Sequence, residues 1–211
     1  MSETRRISIT EALNELKLYD AKITKAITNA KYVGVTKKSS DKVGVFKRET
    51  FDANAKSGYQ SVTDLIANRN KLKSSVVQSN AVTEIEVAGK KMTVAEGIER
   101  KSSIEYEEAL LDELKRQYSS ASDTVMRENL KVDNQINKLL EAYHGKDTDK
   151  KPSKEDYAAI TEPFREKNEF EMVDPINIFD KITKLEEEID AFKSEIDTRL
   201  VLSNAVTFVE V

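Results

Sequence analysis

The sequence SNAVTEIEV at residues 79–87 returns as SNAVTFVEV at residues 203–211, with seven of nine positions identical. In both copies, Ser and Asn can form local hydrogen bonds at a helix end, and the β-branched Val and Thr favour extended backbone. The motif therefore predicts a junction from helix to strand. The junction residues are Ser79, Asn80 and Thr83 in the first copy and Ser203, Asn204 and Thr207 in the second.

A second likeness links the residues that begin the two halves of the chain. Residues 7–13 match residues 92–98 type for type, and each stretch contains a capping box, S-x-x-E or T-x-x-E. In a capping box, a hydroxyl and a glutamate satisfy backbone amides that the first helical turn leaves free. We interpret the chain as two copies of one helix–helix–strand unit, over about 8–87 and 93–211.

Apolar residues at intervals of three and four predict helices over about 8–30, 61–80, 93–125 and 174–203. The last begins at Asp174-Pro175, a favourable helix N-terminus, and its spacing over three heptads is typical of coiled coils. A further apolar series over 130–143 either continues the third helix or follows a bend near Ser119-Ser120.

Composition favours a helical protein with a large surface. Only three Pro and six Gly occur in 211 residues, while 34% of residues are charged and 38% are hydrophobic. Because the apolar residues are periodic, we predict a mainly α fold of long antiparallel helical hairpins, like a four-helix bundle or coiled coil, in a single elongated domain over 1–211. We expect the strands at 82–87 and 206–211 to share one small antiparallel sheet, or to pair equivalently in an oligomer.

Two insertions interrupt the predicted units, at 31–60 and at 144–173. The first is expected to form a short β-hairpin between 32–35 and 43–46, or a flexible loop. The second begins with the polar run HGKDTDKKPSKED, which predicts an exposed loop, and one or two helical turns are expected over 157–164.

The chain has an Asn-x-x-Thr junction at 80–83, then Gly89, then a T-x-A-E helix start at 93–96, and a long helix from Asp174 to the second junction. This pattern resembles the septicolysin-like family of uncharacterised helical proteins. The resemblance covers most of the chain, and both insertions depart from it. It implies a helical bundle with small β elements and provides no catalytic residues.

Residue types that carry catalysis are scarce. The chain contains no Cys and a single His, which excludes a cysteine nucleophile, a thiolate zinc site and a di-metal centre built from two Glu-x-x-His pairs. Its isolated Gly residues form neither a phosphate-binding loop nor a dinucleotide motif. His144, Asp147 and Asp149 could touch a divalent ion, but such a loop is usually solvated. We predict no catalytic, metal or cofactor site.

One segment is suited to contact a partner. Residues 31–48 carry six bases against the single acid Asp41, and Tyr32 and Phe46 lie among the lysines. Contact with a nucleotide or nucleic acid is one interpretation, and a solubilising loop or assembly arm is the interpretation that we favour. The predicted contact residues are Lys37, Lys38, Lys42, Lys47 and Arg48.

The sequence is compatible with three functional classes. The first is a non-enzymatic, homo-oligomeric structural or assembly protein, such as a phage-like virion component or part of another large complex, with itself or other assembly proteins as partners. The alternative is an oligomeric module that binds a small anion such as a nucleotide, including one that sequesters a nucleotide signal. An enzyme is the least favoured class. No stretch approaches the ~18 apolar residues of a membrane span, so we expect no membrane partner and a cytoplasmic location.

Overall fold

The computed structural model describes residues 5–144 and 154–211. Within these ranges the chain is mainly helical, which confirms the prediction of a mainly α fold with small antiparallel β-structure. The helices are α1 (Ile9–Asn29), α2 (Arg48–Val82), α3 (Val94–His144), α4 (Lys154–Asn168) and α5 (Ile178–Val206). The strands are β1 (Arg6–Ser8), β2 (Lys42–Val43), β3 (Phe46–Lys47), β4 (Glu84–Val87), β5 (Lys90–Thr93) and β6 (Phe208–Glu210).

The described strands form two-stranded antiparallel sheets, β1 with β6, β2 with β3, and β4 with β5. The prediction that the strands after the two junctions share one sheet is therefore wrong. Each pairs instead with the strand that leads into a capped helix: Ile85 lies opposite Met92, and Val209 lies opposite Ile7. A two-residue turn brings β5 back onto β4, and this local partner is closer in sequence than β6.

The chain divides into two compact units. The first comprises the residues up to Ser102 together with Ala191–Val211, and the second comprises Ser103–Asp190. Helices α3 and α5 contribute residues to both units. The first unit is thus assembled from two separate stretches of sequence.

Helix α1 packs antiparallel to α2 in the first unit. Leu16 shares a buried cluster with Leu72, while farther along α1 the Asp20 carboxylate accepts a hydrogen bond from the Arg69 guanidinium at 2.6 Å. Each fully buried aliphatic side chain contributes about 1.5–3 kcal/mol of transfer free energy, so this cluster is the main source of stability for the helix pair. Its other buried members are Ile7, Ile9, Ala12, Val76 and Val209.

The first two turns of α3 pack on the last turns of α5 in the same unit. A Cβ atom on Gly97 would lie 3.1 Å from the δ-methyl groups of Ile85 and Ile196, so the absent side chain allows this close approach. The Arg100 guanidinium lies 4.7 Å from the Phe192 ring centroid, a cation–π contact over a fully buried aromatic ring.

In the second unit, side-chain hydrogen bonds join α3 to α4 and to the segment that follows α4. The Asn129 side chain donates to the Phe170 carbonyl at 2.9 Å and accepts from the Phe170 amide at 2.8 Å, as a neighbouring strand would. One turn farther along α3, the Arg165 guanidinium of α4 donates to Asp133 at 2.5 Å. The buried side chains of the second unit include Ile104, Leu111, Val132, Ile136, Thr161, Ile182 and Ile189.

The first insertion is shorter than predicted, because α2 begins at Arg48 rather than near Ser61. Phe51, Ala55 and Tyr59 recur at intervals of four and extend the helical pattern backwards. Gly58 within this stretch lowers the stability of the helix by only about 1 kcal/mol relative to Ala. The helix propensity of the remaining residues offsets this loss.

The long third helix is continuous through Ser119-Ser120, so the apolar series over 130–143 continues it. Helix α4 is longer than the one or two turns predicted over 157–164. Helix α5 begins four residues after Asp174, whose carboxylate still accepts from the Ile178 amide at 2.8 Å. Asn177 has a positive φ of 55°, so a turn separates the capping aspartate from the helix that it caps.

Candidate interaction surface

The two repeated junctions have matching hydrogen bonds. The Thr83 amide donates to the Ser79 carbonyl at 2.9 Å, and the Thr207 amide donates to the Ser203 carbonyl at the same distance. These bonds span four residues, as in an α-helix. The prediction that the helices end at the Ser-Asn pair is therefore wrong, because α2 and α5 continue through Val82 and Val206.

The junction threonines also connect each helix end to the start of another helix. The Thr83 carbonyl accepts from the Val94 amide at 2.8 Å, and the Thr207 carbonyl accepts from the Ile9 amide at 2.9 Å. Thr83 has extended backbone, with φ −79° and ψ 121°, which points the chain into the following strand. These contacts are structural, and Ser79, Asn80, Ser203 and Asn204 lie in the last turns of the two helices.

Both predicted capping boxes are present. The Glu11 carboxylate accepts from the Ser8 amide at 2.8 Å, and the Glu96 carboxylate accepts from the Thr93 amide at 2.6 Å. The backbone hydrogen bond, reinforced by one from the cap hydroxyl, lowers the pKa of both carboxyl groups. These carboxylates stabilise helix starts, and nothing in their geometry indicates proton transfer chemistry.

The predicted contact residues all lie on or next to a hairpin that we call the basic arm, residues 31–47. Its strands are β2 and β3, and its turn is Gly44-Val45, with a positive φ of 58° at Gly44. The predicted pairing of 32–35 with 43–46 is wrong. Strand β2 pairs with β3 across a two-residue turn, and residues 32–35 have no regular secondary structure.

Local contacts hold the base of the basic arm on α2. Gly34 is so close to Val43 and Phe51 that a Cβ atom at this position would overlap the Val43 side chain. The Tyr32 and Tyr59 rings meet edge to face, with their centroids 6.4 Å apart. The Arg48 amide, at the start of α2, donates to the Asp41 carbonyl at 2.7 Å. The arm therefore has a defined conformation that presents its side chains.

The cations of the basic arm are exposed, and they form no ion pair with the part of the chain that the structure describes. Lys42 lies directly opposite Lys47 across the hairpin. Like charges in opposed positions of a two-stranded sheet repel each other, so a negatively charged partner would stabilise this arrangement. The exposed cations are Lys37, Lys38, Lys42, Lys47 and Arg48.

The basic arm also carries exposed apolar side chains. Val33, Val35 and Val45 are 85%, 95% and 88% exposed. Phe46, which precedes Lys47, is 43% exposed. Exposed apolar groups that cluster beside charges are typical of surfaces that contact another macromolecule. Spacing alone could not reveal this exposure, because alternating valines are equally typical of buried strands.

The second unit contains a groove that the sequence analysis missed. The groove encloses about 420 Å³ between α3, α5 and the turn before α5. Leu110 and Ile176 on its walls are 53% and 49% exposed. Leu111 faces the core of this unit, whereas its neighbour Leu110 does not. The residues that line the groove are Leu110, Leu114, Ile176, Lys181, Lys184, Leu185 and Glu188.

The residues considered for a metal ion are His144, Asp147 and Asp149. His144 ends α3, while Asp147 and Asp149 lie outside the described residues. Over residues 5–144 and 154–211, no group of three or more His, Asp or Glu side chains could hold a metal ion. In the same ranges, no helix is long and apolar enough to cross a membrane.

Comparison of the chain with protein-family models, with curated proteins and with solved structures found no match. The resemblance to the septicolysin-like family therefore stays a prediction. The basic arm and the groove of the second unit are the two surfaces of the described residues suited to contact a partner.

Proposed function

We propose that this protein is a non-enzymatic, homo-oligomeric structural or assembly protein, and that its basic arm is the part that associates. The observation that carries the proposal is the exposure of Val33, Val35 and Val45 on an arm whose conformation is fixed by local contacts. Burying one such valine in an interface removes apolar surface from water and contributes about 1.5 kcal/mol or more. The neighbouring lysines gain from the same contact if the partner surface is acidic.

A second argument for association comes from the two repeated junctions. The junctions at Thr83 and Thr207 have the same pattern of hydrogen bonds, and each is followed by a strand that pairs beside a capping box. We infer that residues 8–87 and 93–211 are two copies of one unit. A duplicated unit presents similar surfaces twice, as with Val82 and Val206, which are 77% and 73% exposed, and repeated surfaces favour association of several chains.

Analytical ultracentrifugation over a range of protein concentrations tests the proposal. We expect species larger than one chain of 23.9 kDa, with the larger species increasing with concentration. The variant Val35→Asp/Val45→Asp should shift the distribution towards the single chain, whereas Val201→Asp, at a position 66% exposed on α5, should not. A single species of one chain at all concentrations, without a partner protein, would contradict the proposal.

A specific observation also favours the second candidate, a module that binds a small anion such as a nucleotide. Lys42 and Lys47 lie opposite each other without an ion pair among the described residues, and Tyr32 offers a ring that is 42% exposed. A nucleotide that binds there should raise the melting temperature. Lys37→Ala/Lys38→Ala/Lys42→Ala should abolish that rise, and Lys17→Ala/Lys22→Ala/Lys25→Ala on α1 should not. If no nucleotide changes the melting temperature, the anion-binding candidate is contradicted and self-association remains as the proposed function.

Three finer predictions belong to the same proposal. A place in a virion or another large complex is supported by the exposed apolar surface of the arm. Membership of the septicolysin-like family is supported by the junction and capping pattern. A cytoplasmic location agrees with a chain that has no Cys.

A further inference from the structure

We propose that two copies of this chain exchange halves, so that residues 5–87 of one copy assemble with residues 90–211 of the other. The turn Ala88-Gly89 opens in both copies when the halves exchange. The partner is thus a second copy of this chain, and it fits a surface that each chain otherwise covers with its own second half. This inference goes beyond the proposed function, because it does not involve the basic arm.

Each half contains strands that the other half completes. Strand β4 ends the first half and pairs with β5, which begins the second half. Strand β6 of the second half pairs with β1 of the first. Arg5 and Val211 extend this second pairing, since each backbone amide donates to the other residue's carbonyl at 3.0 Å. The two halves therefore assemble through reciprocal pairing, which requires their contact but not the covalent link between them.

Buried side chains also join the halves. Val209 of β6 belongs to the buried cluster of the first half that contains Leu16 and Leu72. Ile85 of β4 lies so close to α3 that a Cβ atom on Gly97 would be 3.1 Å from its δ-methyl group. A second copy offers the same side chains in the same positions. Exchange therefore retains these contacts, and burial favours both arrangements equally.

The link between the halves is short and strained. Ala88 has a φ of 51°, in the left-handed region where an alanine Cβ is crowded, and extended backbone removes this strain. Opening the turn also breaks the hydrogen bond of 3.1 Å from the Ala88 amide to Glu195. Because exchange joins two chains, a higher protein concentration favours it. Short hinges under strain favour exchange of identical segments between copies.

The register of the hairpin allows the opened turn to join the sheet. Val87 lies opposite Lys90 in the closed turn. When the same register continues, Ala88 of each copy lies opposite Gly89 of the other. Each copy then has one strand over 84–93, and the two strands pair antiparallel along their whole length. The opened turn residues thereby gain backbone partners.

Disulfide formation between copies tests the exchange directly, because the chain contains no Cys. One preparation carries Arg6→Cys, and the other carries Glu210→Cys with a tag that changes its size. Arg6 lies opposite Glu210 and next to the hydrogen-bonded pair of Arg5 and Val211, so it belongs to a pair whose side chains are close. Since each chain has one thiol, a mixed disulfide requires β1 of one copy to lie beside β6 of another.

The two preparations are unfolded together in urea, refolded at high protein concentration and oxidised. We expect several-fold more mixed disulfide than from Lys25→Cys with Glu210→Cys. Lys25 is an exposed control position on α1, roughly 24 Å along the helix from Ile9.

The length of the hinge provides a second test, in chains that also carry Val35→Asp/Val45→Asp to weaken association through the basic arm. Deletion of Ala88 and Gly89 leaves too little chain to close the hairpin, but it keeps the strand pairs of the exchanged form. We expect a dimer in ultracentrifugation, with the helical circular dichroism of the original chain. Insertion of Gly-Gly-Ser-Gly after Gly89 relaxes the turn and should lower the mixed disulfide several-fold.

The outcomes distinguish the exchange from the proposed function. A mixed disulfide at the control level, or a folded single chain after the deletion, overturns the exchange and leaves association through the basic arm to its own test. If the deletion variant does not fold, an insertion variant that forms as much mixed disulfide as the original hinge overturns the exchange. Loss of the mixed disulfide in Val35→Asp/Val45→Asp overturns it as well, because the arm would then be what joins the copies.

Discussion

At the scale of single residues, the backbone turn between β4 and β5 is the clearest departure from local preference. Ala88 and Gly89 both have positive φ, 51° and 72°, as a tight hairpin turn requires. Glycine adopts this conformation freely, whereas an alanine side chain is crowded against the following carbonyl. The Ala88 amide donates to the Glu195 carboxylate at 3.1 Å, and this bond helps to hold the residue in its strained conformation.

We expect Ala88→Asn to stabilise the first unit by about 1 kcal/mol, because Asn tolerates the left-handed region and Asn-Gly is a preferred hairpin turn. The amide bond to Glu195 is made by the backbone and remains available. Urea denaturation measures the change in the free energy of unfolding. The matched control is Ala95→Asn in the first turn of α3, where Asn is a poorer helix former and should not stabilise.

The capping boxes lead to a pH prediction at the same scale. Because the folded state lowers the pKa of Glu11 and Glu96, ionisation of these groups favours folding. Their contribution is fully present above the usual glutamate pKa of 4.5 and is lost as the pH falls through the lower folded pKa. We expect the free energy of unfolding to decrease below about pH 4.5, and Glu11→Gln/Glu96→Gln to show a smaller decrease.

Chemical denaturation between about pH 6 and about pH 3 measures this dependence. Glutamate side chains are almost fully ionised near the first value and only partly ionised near the second. Glu105→Gln/Glu187→Gln removes two charges from exposed positions and serves as the control. An equal loss of stability in the capping variant and the original chain would show that the boxes do not cause the dependence.

At the scale of elements, the ends of α2 and α5 are each joined to the start of another helix by a pair of short strands. Leu16 and Leu72 pack α1 on α2, while Gly97 allows α3 to approach α5 and β4. The α1–α2 pair thus depends on large buried side chains, whereas the α3–α5 pair depends on a missing side chain. The repeated sequence is reflected in the strand pairs rather than in identical packing.

We expect Gly97→Leu to destabilise the first unit by about 2 kcal/mol, because even a Cβ atom here lies 3.1 Å from Ile85 and Ile196. Ala95→Leu, two residues earlier at an exposed position, supplies the same side chain without the crowding. Thermal and urea denaturation of the two variants compare the sites. A Gly97→Leu protein as stable as Ala95→Leu would show that the two isoleucines can move aside.

At the scale of the whole molecule, charge is distributed unevenly along a chain whose net charge is only −4. The basic arm and Arg48 carry six of the 34 bases within 18 residues, while α3 and α5 are rich in acids. A small net charge therefore conceals a concentration of positive charge on the basic arm. Such a charged surface steers association with a partner more than it stabilises the fold of one copy.

We expect self-association to weaken as the ionic strength rises from about 0.05 M to about 0.5 M, because the Debye length falls well below the ~10 Å of 0.1 M salt. Burial of the arm valines should leave some association at high salt. Ultracentrifugation in sodium chloride measures the dependence. Association that strengthens with salt throughout would indicate an interface held by apolar contacts alone, without a role for Lys37, Lys38 and Lys42.

The sequence by itself determined the features that depend on neighbours within a few residues. The capping boxes at Ser8 and Thr93 and the strands after Thr83 and Thr207 were predictable, because local hydrogen bonds and backbone preference decide them. The junction predicts helix ends at 80 and 203, two and three residues before the observed ends at Val82 and Val206, since a Ser-Asn pair is compatible both with a cap and with a last helical turn.

Only the tertiary structure decided which strand pairs with which, and which apolar residues remain exposed. Val209 pairs with Ile7 rather than with the strand after Thr83, because a sheet register depends on the packing that brings distant segments together. Leu110 and Leu111 are adjacent in sequence, yet one lines the groove and the other is buried. Their difference is one of direction around α3. The apolar spacing of the helix indicates that Leu111 faces the core, and the elements packed against α3 determine that Leu110 borders a groove.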